Sequence, residues 1–363
     1  LPAHAGHGLG VGARARRRVP WTPVANTDLI DRLAAEGTLS APELEALLST
    51  YTPADREYAT SRAYKVARAR FGTALHAWGV IQITNECARD CYFCGIANTA
   101  ADVTRYRLTP EQILGCCEEG YRLGFRTFVL QGANDPDFTD DLTTDLIWTI
   151  RRKFPDCAIT LALGERPKSS YQKFFDAGAD RYLLRHETAD AEHFGQLHPR
   201  RNTLANRMRC LRDLKEIGFQ TGPGMLVGAP FQTPERIAKD LAFLAEFRPQ
   251  VVVVGPFLPS PTAKLADHPA GSLEGTLFVL SLIRLMLPDA LLPALASLTR
   301  LHPRGRELAV MSGANVLLPN LTPPDLRSHF GSCDAGRLSD EGVAAETARI
   351  TKRMADLGYT FVH

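Results

Sequence analysis

The sequence lacks the features that mark secreted, membrane-spanning or nucleic-acid-binding proteins. It contains 8 cysteines in 363 residues, too few for a secreted disulfide scaffold. Its 42 basic and 40 acidic side chains give a net charge of +2, which favours no nucleic-acid or acidic-membrane partner. The longest apolar run, 273–287, is interrupted by Glu274 and Arg284 and is unsuited to cross a bilayer. We therefore expect a cytoplasmic protein with no nucleic-acid and no membrane partner.

The N-terminal residues 1–27 are rich in glycine, alanine and arginine, and no apolar segment of signal-peptide length lies among them. We expect a disordered basic tail, although its arginines leave a polyanion-binding role open. These arginines are Arg14, Arg16, Arg17 and Arg18. In residues 28–75 apolar side chains recur at helical spacing, and Ser40 with Glu43 three residues later predicts a capped helix start. This segment is predicted to be a helical lead-in.

Beyond the lead-in, short apolar runs alternate with amphipathic stretches, as in repeated βα units. Eight runs are predicted as strands: 80–84, 127–131, 158–163, 181–185, 221–227, 251–254, 291–295 and 314–318. Helices are predicted between them at 110–123, 139–153, 203–217, 234–247 and 275–286. The pattern indicates an α/β protein with a (β/α)8 barrel over 76–330 and a C-terminal helical segment over 331–363, with a helix at 340–357. A doubly wound open sheet is the alternative architecture.

Three cysteines, Cys87, Cys91 and Cys94, crowd into eight residues directly after the first predicted barrel strand. Barrel enzymes place their reactive groups on the loops that follow the strands. Three thiolates can hold three irons of a 4Fe-4S cluster and leave the fourth iron open to a small molecule. A zinc site would need a fourth ligand that is not close in sequence, and a redox pair would leave Cys87 unexplained. The remaining thiols show no ligand spacing and are expected to be core or incidental: Cys116, Cys117, Cys157, Cys210 and Cys333.

The Cys-x3-Cys-x2-Cys spacing, with Phe93 before the last cysteine, resembles the signature of the radical S-adenosylmethionine (SAM) superfamily. From about residue 78 to 322 the sequence most resembles the HydE-type maturases of FeFe-hydrogenase, in a branch with biotin synthase and methylornithine synthase. The resemblance is carried by CARDCYFCG, RYRLTPEQI, LALGERP, AGADRYLLRHET, ANRM, LPDALLPA and SGANVLLPN. It implies one 4Fe-4S cluster and SAM as cofactors. It also implies reductive cleavage of SAM to a 5'-deoxyadenosyl radical, in the service of H-cluster assembly.

The same resemblance implies roles for residues at other strand ends. The SAM-binding residues that it implies are Phe93, Asn134, Glu187, Arg207 and Gly224. Among them, Glu187 and Arg207 match residues that contact SAM, and Gly224 matches a glycine that lets the backbone approach the adenine. The residues assigned to an inner cavity with anionic contents are Thr160, Arg181 and Arg185. The residues alone leave Arg185 and Glu187 equally suited to a structural ion pair.

Several positions depart from the family pattern. Asn134 stands where the pattern has a glutamate that helps to hold the SAM ammonium group; asparagine still accepts a hydrogen bond, and the adjacent Asp135 is expected to compensate. Leu295 and Ala296 replace two threonines that face the substrate. Only Cys333 is available for a second cluster near the C-terminus, so we expect one cluster.

These departures leave two further enzymatic hypotheses open: a methylornithine synthase-like mutase and a biotin synthase-like enzyme that inserts sulfur into a small molecule. A non-enzymatic, zinc-stabilised barrel is the alternative from another class. The maturase interpretation implies a small-molecule or iron-complex substrate, an electron donor and other hydrogenase maturases as partners.

Overall fold

The computed structural model describes residues 25–101, 103–330 and 342–362. The arginine cluster of the predicted tail and Cys333 lie outside these ranges. The first helix begins at Asn26, so the last two residues predicted as tail belong to the helical lead-in. No helix within the described ranges has the length and apolar character that crossing a membrane requires.

The helices of the described residues are numbered along the chain. They are α1 Asn26–Glu36, α2 Ala41–Thr50, α3 Pro53–Phe71, α4 Pro110–Arg122, α5 Asp140–Lys153, α6 Lys168–Asp176, α7 Ala191–Leu197, α8 Leu204–Ile217, α9 Pro234–Phe247, α10 Leu273–Met286, α11 Leu298–Leu301, α12 Gly305–Met311, α13 Pro324–Arg327 and α14 Val343–Ala355. The strands are β1 Ala74–Ala77, β2 Gly79–Gln82, β3 Thr127–Gln131, β4 Ala158–Ala162, β5 Arg181–Leu183, β6 Gln220–Gly222, β7 Gly224–Val227, β8 Val253–Pro256, β9 Val316–Leu317 and β10 Thr360–Val362.

The lead-in folds as the three helices α1 to α3. Glu43 accepts the backbone N–H of Ser40 at 3.0 Å, which confirms the predicted capped start of α2. Buried leucines of α1 and α2 join the same apolar cluster as α9 and α10, and α3 packs along α10. The lead-in therefore covers one outer side of the barrel, where burial of its leucines holds it in place.

The strands form a closed ring of parallel neighbours. Strands β2 to β6 pair in chain order, β7 pairs with β8, and β1 lies between β9 and β10. Isolated parallel bridges link these groups at Glu187–Met225, Val251–Leu291, Pro293–Val316 and Val80–Asn320. Because the last bridge returns to β2, the order is that of a (β/α)8 barrel, as predicted, and not that of an open doubly wound sheet.

The structure corrects the predicted strands at two prolines and adds two strands. The run 221–227 is two strands because Pro223 has no amide hydrogen; β6 pairs with β5 before it, and β7 pairs with β8 after it. The run 291–295, which contains Pro293, contributes isolated bridges only. Strands β1 and β10, which pair with each other, were not predicted. Of the closing helix predicted over 340–357, Val343–Ala355 is observed as α14, while residues 340–341 lie outside the described ranges.

Candidate active site

The cysteine loop leaves the end of β2 and is held by its own backbone and by neighbouring arginine side chains. Arg105 donates to the carbonyl oxygen of Ile96 at 3.0 Å and to that of Ala97 at 2.6 Å. Within the loop, the N–H of Cys94 donates to the carbonyl oxygen of Cys91 at 3.0 Å. Protein hydrogen bonds therefore fix the course of the loop.

The three thiols of the loop, on Cys87, Cys91 and Cys94, are half-buried, outside any disulfide, and line one cavity. The peptide N–H of Arg89 points at Cys87 Sγ from 3.4 Å. Burial raises the pKa of the Cys91 thiol to about 12, so a thiolate there needs a cationic partner. Among the described residues no three His, Cys, Asp or Glu side chains are grouped around a single-ion site. Three soft donors spread along one wall fit a 4Fe-4S cluster better than a zinc ion.

The cavity has a volume of about 620 Å³, within the range of sites that enclose a small molecule. Most of the predicted site residues lie in its wall: Cys87, Cys91, Phe93, Cys94, Asn134, Arg185, Glu187 and Arg207. The two positions at which threonines were replaced, Leu295 and Ala296, also line it. Three predicted residues do not: Thr160, Arg181 and Gly224.

Thr160 and Arg181 lie one row deeper in the barrel than the cavity wall. They are paired neighbours on β4 and β5, and each precedes by two residues a side chain that lines the cavity, Ala162 and Leu183. The Arg181 guanidinium lies 5.0 Å from the centroid of the Trp78 ring, and burial lowers its pKa. These two polar side chains therefore belong to the layer that contains Trp78.

Gly224 is required by the packing of two strands. A Cβ at this position would lie 1.9 Å from the carbonyl oxygen of Val253 on β8, closer than any real contact. Its N–H donates to Nδ1 of His186 at 3.2 Å. The close approach of β8 accounts for this glycine without any reference to an adenine ring.

Glu187 offers a free carboxylate oxygen next to an ion pair. Arg185 Nε donates to Oε1 at 3.0 Å, whereas Oε2 is buried and has no hydrogen-bond partner among the described residues. The backbone φ of Glu187 is +65°, a conformation that is costly for a non-glycine residue and is often found at functional sites. The ion pair with Arg185 therefore leaves one carboxylate oxygen of Glu187 available to a ligand.

A fully buried pair, His186 and Asp240, lies behind Glu187. His186 Nε2 is 3.4 Å from Asp240 Oδ1, and Asp240 also accepts the backbone N–H of Ala189. Burial raises the pKa of Asp240. The pair connects α9 to both sides of the turn that carries Glu187 and so supports its unusual backbone conformation.

Glu165 organises the neighbouring wall, a role that the sequence analysis did not predict. Its Oε1 accepts from Arg207 Nε at 2.6 Å, and its Oε2 accepts from Asn206 at 2.9 Å and from Arg89 at 3.3 Å. Arg207 also donates through Nη1 to the carbonyl oxygen of Arg185, while its Nη2 makes no hydrogen bond within the described ranges. The available signal was the LGE segment, which places Glu165 just beyond a predicted strand.

Asn134 is held against this wall, but Asp135 is not part of it. Asn134 donates to the carbonyl oxygen of Glu165 at 3.3 Å. Asp135 is buried and is bound by Arg107, through Nε at 2.7 Å and Nη2 at 3.0 Å. Contrary to the expectation, Asp135 therefore does not supply the charge that Asn134 lacks. A Cβ at Gly164 would lie 1.8 Å from Asn134 Oδ1, so this glycine gives Asn134 its space.

Phe93 packs edge-on against His198, with ring centroids 5.4 Å apart, in an apolar cluster that also contacts Cys91 and Cys94. Burial, followed by the nearby charge of Arg207, lowers the pKa of His198 to about 3. The imidazole is therefore neutral at pH 7. No sequence motif marked His198, because its position depends on α7 folding back over the cysteine loop.

A parallel (β/α)8 barrel with a three-cysteine loop after its first barrel strand is the architecture of a cluster-dependent barrel enzyme. The sequence model of the Radical SAM superfamily matches residues 81–244. The [FeFe] hydrogenase maturase subunit HydE of Thermotoga maritima is 39% identical over 74% of this chain and 76% of its own length. The chain therefore belongs to the radical SAM superfamily and, within it, to the family of HydE.

Methylornithine synthases are similar to this chain at a greater distance. The 3-methylornithine synthase of Methanosarcina barkeri is 27% identical over 81% of this chain and 83% of its own length. The crystal structure of methylornithine synthase (PylB) superposes with a TM-score of 0.81 at 25% identity, covering 92% of this chain and 97% of the other. The barrel and its extensions at both ends are thus shared with this group.

Proposed function

We propose that this protein is a radical SAM maturase that acts in the assembly of the FeFe-hydrogenase H-cluster, like its relative HydE. The observation that carries the proposal is 39% identity to HydE over about three quarters of both chains. The three thiols that line the central cavity, none of them in a disulfide, agree with it. They also favour a reducing compartment such as the cytoplasm.

The cluster would be held by Cys87, Cys91 and Cys94. When bound and reduced, it supplies the electron that cleaves SAM to a 5'-deoxyadenosyl radical. The apolar cluster around Phe93 packs against two of these cysteines and keeps water from that side of the site. Hydrogen bonds to backbone carbonyls of the loop hold its course in the absence of a cluster.

Two polar side chains are suited to orient SAM in the same cavity. Glu187 Oε2 is buried without a partner among the described residues and accepts a hydrogen bond from the ligand, since an unsatisfied buried carboxylate oxygen is costly. Arg207 is held in place by Glu165 and donates through Nη2 to the SAM carboxylate. Asn134 accepts from the SAM ammonium group in place of a charged glutamate, which weakens that contact.

The proposal is tested by replacing the native maturase gene of a hydrogenase-producing host with the gene for this chain. Hydrogen evolution is expected to be restored by the wild-type protein and by Cys210→Ala, which removes a buried core thiol. Cys91→Ala is expected to restore none. A soluble, cluster-loaded protein that gives no rescue would contradict the maturase function. An electron donor and other maturases are the partners that this function requires.

A mutase acting on a small amino acid is the second candidate. Leu295 and Ala296 line the cavity where the maturase pattern has threonines, and methylornithine synthase superposes on 92% of this chain. Formation of 3-methylornithine by a protein that fails to restore hydrogen evolution would favour this candidate.

A further inference from the structure

The cavity extends beyond the SAM region into a lobe between α12 and α14, to which the proposed function assigns no role. We call it the α12–α14 lobe; it is lined by Pro303, Arg306, Glu307, Glu346, Arg349 and Arg353. The three α14 residues follow at i, i+3 and i+7 and therefore share one helix face. Ile350 and Met354 of α14 line the cavity as well, so the lobe offers both charged and apolar surface.

The two carboxylates of the lobe are already paired. Glu307 is bound by Arg353, which also donates to the carbonyl oxygen of Pro303 at 2.7 Å. Glu346 accepts from Arg327 at 3.0 Å. Neither carboxylate therefore needs Arg306 as a partner.

Arg306 has no partner of its own within the described ranges. Its guanidinium makes no hydrogen bond or ion pair with these residues, and its Nε is buried and unsatisfied. Burial lowers the pKa of Arg306, and the charges of Glu346 and Glu307 offset this effect only in part. The side chain as a whole is only partly buried, but a buried N–H donor such as this Nε is costly when it has no partner. Such a group in the wall of a ligand cavity indicates an anionic ligand.

The shape and chemistry of the lobe narrow the class of that ligand. A guanidinium presents its N–H donors in a planar fork that matches the two oxygens of a carboxylate. The apolar side chains of Ile350 and Met354, with Leu295 and Ala296 in the same cavity, suit a small organic body. Arg207, which is bound to Glu165 in another part of the wall, remains available for SAM.

We infer that the α12–α14 lobe binds the carboxylate of the small-molecule substrate, and that Arg306 is the residue that contacts it. The inference rests on the proposed function, because it takes the substrate of that reaction as the occupant. The substrate is accordingly a carboxylate-bearing molecule, and Arg306 determines specificity for its charge.

Propionate and propionamide provide a matched pair of probes, equal in size and different in charge. Binding of each is measured by titration calorimetry on the cluster-reconstituted, SAM-loaded enzyme, so that the SAM carboxylate already occupies its own site. Propionate is expected to bind the wild type, and propionamide at least tenfold more weakly. In Arg306→Gln the propionate affinity is expected to fall at least tenfold, because a charge-assisted pair is lost. Arg304→Gln, at an exposed position two residues earlier, is the control and is expected to bind propionate like the wild type.

The outcomes separate this inference from the proposed function. Wild-type enzyme that forms no 5'-deoxyadenosine from SAM overturns the proposed function, whatever propionate does. Enzyme that cleaves SAM but binds propionate no better than propionamide, or equally in wild type and Arg306→Gln, overturns the lobe assignment alone. The comparison of the two probes needs no variant, so a failure to prefer propionate overturns the lobe assignment even if Arg306→Gln does not fold.

Discussion

Replacing Glu165 by glutamine removes the negative charge around which one wall of the cavity is built. The carboxylate accepts hydrogen bonds from Arg207 at 2.6 Å, Asn206 at 2.9 Å and Arg89 at 3.3 Å. The side chains of Glu165 and Arg207 are only 5% and 11% exposed. Glutamine keeps the shape of the side chain and one oxygen. Its amide N–H would face Arg207 or the pair Asn206 and Arg89, which are themselves donors.

The expected cost follows from the burial of each pair. A hydrogen bond to a charged group contributes about 1.5–3 kcal/mol, and breaking a fully buried ion pair costs about 3–5 kcal/mol. The Arg89 side chain is 28% exposed, so its share is screened by solvent. We expect a loss of about 2–3 kcal/mol in total. If this loss displaces Arg207, SAM binding weakens about 30- to 150-fold, since 1.4 kcal/mol corresponds to a factor of ten.

The assay is equilibrium binding of SAM to the reconstituted enzyme, accompanied by urea unfolding. Glu216→Gln is the control, because the Glu216–Lys168 pair is 62% and 52% exposed and solvent screens its contribution to stability. A Glu165→Gln enzyme that binds SAM as tightly as the wild type, with unchanged unfolding, would refute the role given to Glu165.

Two further substitutions test the structure around the site. Gly164→Ala is expected to lower the free energy of unfolding by more than Gly358→Ala in urea titrations. Both glycines have φ near +75°, but only at Gly164 would the new Cβ collide with Asn134; equal losses would contradict this. Burial lowers the pKa of His193. As the pH falls, the imidazole of the unfolded chain therefore takes up a proton at a higher pH than that of the native state. Stability is then lost as pH falls through about 6.5. His193→Gln, which can still donate to Pro230, is expected to show a shallower loss of unfolding free energy between pH 7.5 and 5.5; identical slopes would count against a neutral buried His193.

The fold was predictable where local signals suffice. Helices α5, α8 and α9 were predicted to within about one residue because Thr139, Thr203 and Thr233 cap them, each by accepting a backbone N–H through its side chain. Strands β1 and β10 escaped prediction because they pair residues 74–76 with 360–362. A pairing between two segments so far apart in the sequence leaves no periodic pattern in either short segment.

The site, like the fold, was predictable from local sequence patterns and not where it depends on contacts between distant segments. The spacing of Cys87, Cys91 and Cys94 is local and specific, so the loop was found directly. The choice of salt-bridge partner is tertiary, since Glu165 and Arg207 are 42 residues apart. For the same reason Asp135 was expected to compensate for Asn134, whereas the fold brings Arg107 to it instead.

Anaerobic reconstitution with iron and sulfide, followed by incubation with SAM and dithionite, tests the central claim most directly. The wild type and Cys210→Ala, whose thiol is fully buried in the core, are expected to take up about four irons per chain and to form 5'-deoxyadenosine. Cys91→Ala is expected to lose both signals. A wild-type protein that binds no cluster or forms no 5'-deoxyadenosine, or a Cys91→Ala protein that retains both, would contradict the assignment of this barrel as a radical SAM enzyme.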